Sequence, residues 1–398
     1  MSAYGFASSG GDVRFDAQDL TRIGSGAVSD VHRLRVPGHP DIAVKLYKDP
    51  ASVDWERIRR LVELGERLGR LGIDEPAGIA FPRAVVHRGH VPVGICLPLF
   101  PQPENISLDS WTEAPLLKRL GENLDNLTIK MTIVANLAEA IGHLHAHDIA
   151  VVDLKPANIL VDTRTMRLAI LDTDSFGFID EAGRKFLPTH VSAGYIDPRG
   201  YSGELDVGSL WQDQDLYALA VIAFQLLNNG VHPYQCAATG GDELPPTNDE
   251  KAKAALYAYG FSPREGIAPV AVSVHATWPA GIRQLFDRAF IPGKARPSAA
   301  EWRAEIRGIL DGRELARCSR FPQDPRHIHF MGQPCSRCAL ELARAHNDVR
   351  AQRYRQAAAI SRPPRREPSI TPRVKETPWG MYFFLGLVLL LVIAALAK

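Results

Sequence analysis

Apolar and polar positions alternate through LTRIGSGAVSDVHRLRV, residues 20–36, on either side of Gly24 and Gly26. That is the pattern of a strand, a glycine turn and a returning strand. Residues 1–17 before it read as a flexible or weakly paired lead-in. Ile42-Ala43-Val44-Lys45 is a further strand that ends in a single lysine. Residues 54–71 change to helical spacing, with Ile58, Leu61, Val62, Leu64 and Leu68 on one broad apolar face. Period-2 patterning returns at 81–86 and 91–100, joined through Arg88-Gly89-His90 as a hairpin. Residues 111–127 show no clear period. Residues 129–145 predict an amphipathic helix carrying Ile133, Leu137, Ile141 and Leu144. Two short apolar runs, 159–161 and 168–171, flank a polar turn and predict a second hairpin. An N-capped, buried helix is expected over 213–224, with closing helices over 282–290 and 298–311. A charged helical stretch covers 341–359. Residues 361–378 are rich in Pro and Arg without apolar period and read as a disordered linker. Residues 380–397 are apolar on every face. At 1.5 Å per residue this segment reaches about 27 Å, enough to cross a bilayer core.

Composition changes this picture little. A chain of 398 residues with 45% hydrophobic and 23% charged residues has ample core for two or three units. Its net charge of +1 gives no global attraction to nucleic acid. Five cysteines, an odd number that includes a CxxC, argue against a secreted disulfide framework and for a reducing compartment. Cys96 and Cys236 read as inert core residues. The N-terminus has neither a basic nor an apolar signal region, so no cleaved signal peptide is expected. Arg and Lys crowd the linker before residue 380, which by the positive-inside tendency places everything upstream in the cytoplasm. Trp379, Tyr382 and Phe383 sit where an interfacial aromatic belt would lie. A single-pass C-terminal membrane anchor is therefore expected.

The chemistry concentrates at 143–176, HLHAHDIAVVDLKPANILVDTRTMRLAILDTDSF. A hairpin over 159–171 would return Asp172 beside Asp153 and Asn158, so that two carboxylates and an amide converge. Such a set can orient a hydroxyl and hold Mg²⁺ on a nucleotide phosphate. Asp153-Leu154-Lys155-Pro156-Ala157-Asn158 resembles the catalytic loop of protein kinases, and its lysine is typical of the serine/threonine class. The resemblance covers about residues 18–312. It implies an α+β, two-lobed kinase-like fold: an N-lobe at 18–100, an antiparallel sheet plus one helix, and a helical C-lobe at 101–312. It also implies ATP and Mg²⁺ as cofactors. Asp153 would accept the substrate proton, Lys155 would neutralise the moving phosphoryl group, and Asn158 and Asp172 would bind Mg²⁺. Asp174 stands ready to share or replace the role of Asp172. Gly24 and Gly26 would cradle phosphates, with Ser29 at the family's third glycine. Ala43 would pack on adenine and Lys45 would contact the α/β-phosphates. A helix Glu normally pairs with that lysine. Glu56, Glu63 and Glu66 are candidates, and Glu63 is chosen by spacing. Asp215 would bond the catalytic-loop backbone. The family's HRD is Val151-Val152-Asp153 here, so control through the HRD arginine is not expected. The family's APE glutamate is replaced by Arg199, which leaves Arg296 of Arg296-Pro297-Ser298 to pair with Glu204 or to cap a helix.

Cys318, His327, Cys335 and Cys338, over residues 313–345, offer three thiolates and an imidazole suited to a structural Zn²⁺. His329 is an alternative to His327. Similar Cys/His segments follow the kinase domain in some bacterial proteins that this chain resembles. The leading expectation is a membrane-tethered serine/threonine protein kinase acting on protein hydroxyls, with no nucleic-acid partner. The alternatives are a pseudokinase scaffold and a small-molecule phosphotransferase, the latter disfavoured by the protein-kinase-like stretch at 194–234.

Overall fold

The computed structural model describes residues 4–360 apart from 9–10, 71–76, 101, 189, 202–210 and 242. The chain divides into two units, Met1–Ala345 and His346–Lys398, and the site lies within the first.

The first strands are β1 (Tyr4–Ser8), β2 (Gly11–Phe15), β3 (Leu20–Ser25), β4 (Ser29–Leu34), β5 (Ile42–Tyr47), β6 (Ala77–Ile79), β7 (Ala84–Arg88) and β8 (Val91–Leu97). All but β6 form one antiparallel sheet in the order β2-β1-β7-β8-β5-β4-β3. Residues 4–8 and 11–15 are therefore a hairpin extending the sheet, where a flexible or weakly paired lead-in was expected. Two aromatic rings fix it. Tyr4 and Phe15 stack with centroids 5.3 Å apart and join Leu34, Val44, Val86 and Cys96 in a small core. Strand β8 lies so close to β5 that a Cβ on Gly94 would collide with the Lys45 carbonyl, so glycine is required there.

Helix α1 (Trp55–Arg70) packs against this sheet and begins where the Asp54 carboxylate accepts from Arg57 N at 3.0 Å. Ile58, Leu61, Leu64 and Leu68 are buried, as the apolar face requires, and Arg57 is buried with them.

The C-terminal part is built on α2 (Leu127–His145), whose N-cap Asn126 accepts from Ile129 N at 3.1 Å. It packs with α3 (Gln212–Leu227) and α5 (Ala299–Asp311), while α4 (Ala280–Phe290) packs on α3. Asp213 lies inside the first turn of α3 rather than capping it; Trp211 holds the N-cap position. The period-free stretch after residue 110 is anchored by Trp111, fully buried, whose Nε1 donates to Leu124 O at 3.0 Å.

Strands β9 (Asn105–Ser107), β10 (Ile149–Ala150), β11 (Ile159–Asp162) and β12 (Leu168–Ile170) follow. The order β6-β12-β11-β9 puts the β11–β12 hairpin in the middle of a four-stranded sheet, with β12 parallel to β6. Beyond it, β13 (Gly177–Ile179) pairs with β10 and with β14 (Lys185–Phe186). Past the closing helices, Leu315–Arg317 pairs with Ile328–Phe330 and leads to α6 (Ser336–Ile360). The mixed α and β architecture, with an antiparallel N-terminal sheet, is compatible with a kinase-like fold. Among the described residues no helix is long and apolar enough to cross a membrane. The expected linker at 361–378 and membrane segment at 380–397 lie outside the described residues.

Candidate active site

The β11–β12 hairpin is what assembles the site. Ile159 faces Ile170, and Leu171 N donates to Asn158 O at 2.8 Å, so Asp172 emerges beside the catalytic loop. Asn158 spends its Nδ2 on Asp153, donating to its backbone O at 3.1 Å and to Oδ2 at 3.3 Å. The amide Oδ1 is left for a cation. Lys155 Nζ donates to Asp153 Oδ2 at 2.8 Å and to Ser192 Oγ at 2.6 Å, which ties the loop to the segment before Pro198. Asp153 Oδ1 is buried and has no partner among the described residues. An orphaned carboxylate oxygen of this kind is costly unless a ligand meets it.

The loop is held from beneath by Asp215, whose carboxylate is fully buried. It accepts from Val151 N at 2.8 Å and from Val152 N at 2.6 Å, and contacts His145 Nε2 at 3.0 Å. Val152 has φ 61°, a conformation that a β-branched residue adopts only under strain. Asp172 is also left-handed, at φ 56° and ψ 34°. Backbone strain thus brackets the cluster, immediately before Asp153 and at Asp172 itself.

Lys45 reaches this cluster from β5. Its Nζ donates to Asp172 Oδ1 at 3.0 Å and to Asp174 at 2.7 and 2.9 Å. Tyr47 OH donates to Asp174 Oδ2 at 2.7 Å. Burial opposes charge on both Lys45 and Asp174, yet their mutual attraction outweighs it. Lys45 is held above the usual lysine range and Asp174 below the usual carboxylate range. Burial, with Asp174 adjacent, pushes the Tyr47 hydroxyl up. Asp172 is the open member of the pair, with its side chain 51% exposed against 13% for Asp174. Ala43, buried, lies opposite Leu97 where β8 ends. Gly24 lies within β3 opposite Val31, and Gly26 opens the β3–β4 turn, its N donating to Ser29 O at 2.8 Å.

Glu63 does not meet Lys45. It is exposed and pairs with Arg60 at 2.9 Å, and Glu56 and Glu66 also face solvent. The reason is helical phase. Positions 57, 61, 64 and 68 share the buried face, so α1 turns Arg57 inward. Its guanidinium donates to the backbone carbonyls of Asp174 at 3.2 Å and Leu187 at 2.6 Å, and to that of Phe176. The same phase was readable from the apolar positions that predicted the helix. Asp197 was missed as well. It is buried and takes Arg296 Nη1 at 2.5 Å and Arg199 Nη2 at 2.7 Å. Among the described residues Arg296 pairs with Asp197 rather than capping a helix; Glu204, its other expected partner, lies outside the described residues.

Cys318, His327, Cys335 and Cys338 place one ligand atom each within 4.8 Å of one another. Three of the six edges are 3.7 Å for Cys318–Cys338, 3.6 Å for Cys335–His327 Nδ1 and 3.4 Å for Cys338–His327 Nδ1, and none exceeds 4.8 Å. A tetrahedral zinc with ordinary Zn–S and Zn–N bonds has edges of about 3.4–3.8 Å, so the donor set and its spacing fit that ion. His327, and not His329, supplies the imidazole; His329 Nδ1 lies 2.9 Å from the Phe330 carbonyl. The cluster is fastened to the helical lobe. Arg337, inside the CxxC, reaches Asp125 at 3.5 Å, and Arg326 reaches Glu122 at 2.9 Å.

Comparison with known proteins agrees with this geometry. No family model matches the chain. Its curated relatives are protein kinases. The mouse phosphorylase b kinase gamma catalytic chain, liver/testis isoform, is 37% identical over 123 residues, covering 28% of this chain and 29% of that one. The human form is 36% identical over the same span. A probable serine/threonine-protein kinase of Dictyostelium discoideum is 27% identical over 199 residues, covering 48% of this chain and 11% of that one. The chain thus spans less than a third of the length of each of these relatives.

Proposed function

We propose that this chain is a serine/threonine protein kinase that transfers the ATP γ-phosphoryl group to protein hydroxyls. The observation that carries the reading is the convergence of Lys45 from the N-terminal sheet with Asp153, Asn158 and Asp172, with one buried oxygen of Asp153 lacking a partner among the described residues. That oxygen accepts the proton of the attacking hydroxyl. Lys155, anchored on Asp153 and Ser192, neutralises charge on the moving group. Lys45 orients the nucleotide phosphates. Asn158 Oδ1 and Asp172 are hard oxygen donors that would hold Mg²⁺, which would supply positive charge against the nucleotide phosphates. Asp153→Ala is expected to lower radiolabel transfer to a generic protein substrate by about 10²–10⁴-fold, the usual worth of a positioned base. Undiminished transfer would remove Asp153 from its role.

A second reading is a pseudokinase scaffold that binds nucleotide without turnover. It is favoured by one observation: Lys45 is occupied by two carboxylates, with no glutamate arriving from α1. A thermal shift with Mg·ATP unaccompanied by phosphate transfer would select it. Cys318, His327, Cys335 and Cys338 serve, in our reading, as a structural zinc site, since no open ligand position accompanies them. We place the chain at a membrane, anchored through residues 380–397 with the kinase part in the cytoplasm. Flotation with vesicles that is lost on deletion of those residues would support the anchor.

A further inference from the structure

We propose that Asp174, rather than a residue of α1, is the carboxylate that positions Lys45 for the nucleotide, leaving Asp172 to face the cation. The inference rests on the kinase reading and deepens it. Three observations carry it. First, Asp174 holds Lys45 with both carboxylate oxygens, at 2.7 and 2.9 Å, and is itself fixed by Tyr47 OH at 2.7 Å. A carboxylate so enclosed has little capacity left for a metal. Second, Asp172 touches Lys45 through one oxygen at 3.0 Å and is half exposed, so it can turn to a cation while Lys45 stays in place. Third, α1 offers no substitute. Its acidic residues face solvent, and its inward residue is Arg57, which donates to the Asp174 and Phe176 carbonyls and so fixes the backbone that carries Asp174. Lysine and carboxylate are placed by β5 and by the turn after β12. Helix α1 acts one step back, through the backbone.

Asp174 is thus a positioning residue, and its test needs a readout that general destabilisation would not produce. In the full chain, Asp174→Asn should lower kcat and raise KM for ATP at least several-fold, with the Mg²⁺ concentration for half-maximal rate unchanged. Asp172→Asn should shift that Mg²⁺ requirement upward. Glu63→Gln should match wild type. Independently of turnover, acylation of Lys45 by an amine-reactive ester, followed by mass spectrometry, should quicken several-fold in Asp174→Asn and not in Glu63→Gln, because a lysine released from both oxygens of Asp174 is freer to meet the reagent. Lys45 labelling unchanged in Asp174→Asn, or an Asp174→Asn Mg²⁺ shift as large as that of Asp172→Asn, overturns the inference. If wild type transfers no phosphate while the labelling pattern holds, the lysine clamp stands and the kinase reading falls. Should Asp174→Asn fail to fold, Tyr47→Phe removes one anchor of Asp174. It should quicken labelling by a smaller factor, and unchanged labelling there is equally decisive against the proposal.

Discussion

Replacing Asp215 by Asn changes one oxygen of a fully buried carboxylate into an amide. One oxygen serves Val152 N and the other serves Val151 N and His145 Nε2. Asparagine can accept on one side only, and its NH₂ then confronts a backbone N–H or the imidazole. One buried donor loses its partner, at about 1–3 kcal/mol, and the surviving bond falls from charge-assisted to neutral, costing about 1 kcal/mol more. The expected loss of unfolding free energy is therefore about 2–4 kcal/mol. Function should suffer beyond that. The Val152 amide bond opposes about 1–3 kcal/mol of strain stored at φ 61°. Once it weakens, Val152 can relax to negative φ and swing Asp153 away. Urea unfolding followed by tryptophan fluorescence measures the first effect. Phosphoryl transfer at a temperature where both proteins are folded measures the second. A variant within 1 kcal/mol of wild type, with full activity, would refute this account of the loop.

The remaining predictions are simpler to state. Purified protein should carry about one zinc per chain by atomic emission, lost in Cys335→Ser and Cys338→Ser. Chelation should lower the melting temperature of the helical lobe, because Arg337 and Arg326 tie the cluster to Asp125 and Glu122. Burial pushes His232 down to about 4, and its neutral ring bonds Gly194 O at 3.0 Å through Nε2 while Nδ1 accepts from Tyr234 N at 3.2 Å. Its ordinary value is near 6.5, so between these values the unfolded chain binds the extra proton. The stabilisation is complete above pH 6.5 and is lost as pH falls toward 4, by up to about 3 kcal/mol. His275, also pushed down by burial to about 4, adds loss of the same sign. Urea midpoints in His232→Gln should fall less steeply between pH 7 and pH 4.5, and an unaltered slope would exclude His232 as a source. Gly94→Ala should destabilise by about 1–3 kcal/mol through overpacking and weaken ATP binding, since the added methyl presses on the Lys45 carbonyl.

What could be read from the chain follows from how local each signal is. The β11–β12 hairpin is set by two apolar runs and a polar turn, so the convergence of Asp153, Asn158 and Asp172 was legible before any coordinates. Asp215 was legible only through the likeness of its helix to the kinase helix that anchors the catalytic loop. Tyr4 and Phe15 were hidden among glycines and serines, and only their partners on β4, β5 and β7 make them core. Arg57 was hidden for the opposite reason. A charged residue in phase with Leu61, Leu64 and Leu68 reads as a solvated edge until the carbonyls of Asp174, Phe176 and Leu187 are known to lie against it. Tyr47 carried no chemical signal of its own. Its role depends on Asp174, which reaches it only through the tertiary fold.

Lys45 and Arg296 both form buried ion pairs, with carboxylates other than those the sequence pointed to. Lys45 was expected to pair with a glutamate of α1 and pairs with Asp174. Arg296 was left without its usual glutamate and pairs with Asp197, two residues before the position where that glutamate would stand. In each case the partner is an aspartate where a glutamate was expected. The shift has an energetic consequence. A buried pair is worth having only when its geometry is fixed and its remaining lone pairs are satisfied. Asp174 meets that condition through Tyr47. Asp197 meets it through Arg199, which donates from the side chain at 2.7 Å and from the backbone at 3.0 Å. Arginine at the position of the family's glutamate is then no defect, because the same substitution supplies the second partner that makes the Asp197–Arg296 pair tolerable in a buried site. Arg199 and Arg296 thus share one buried carboxylate, and the Asp197–Arg296 pair depends on the residue at 199 for its second partner.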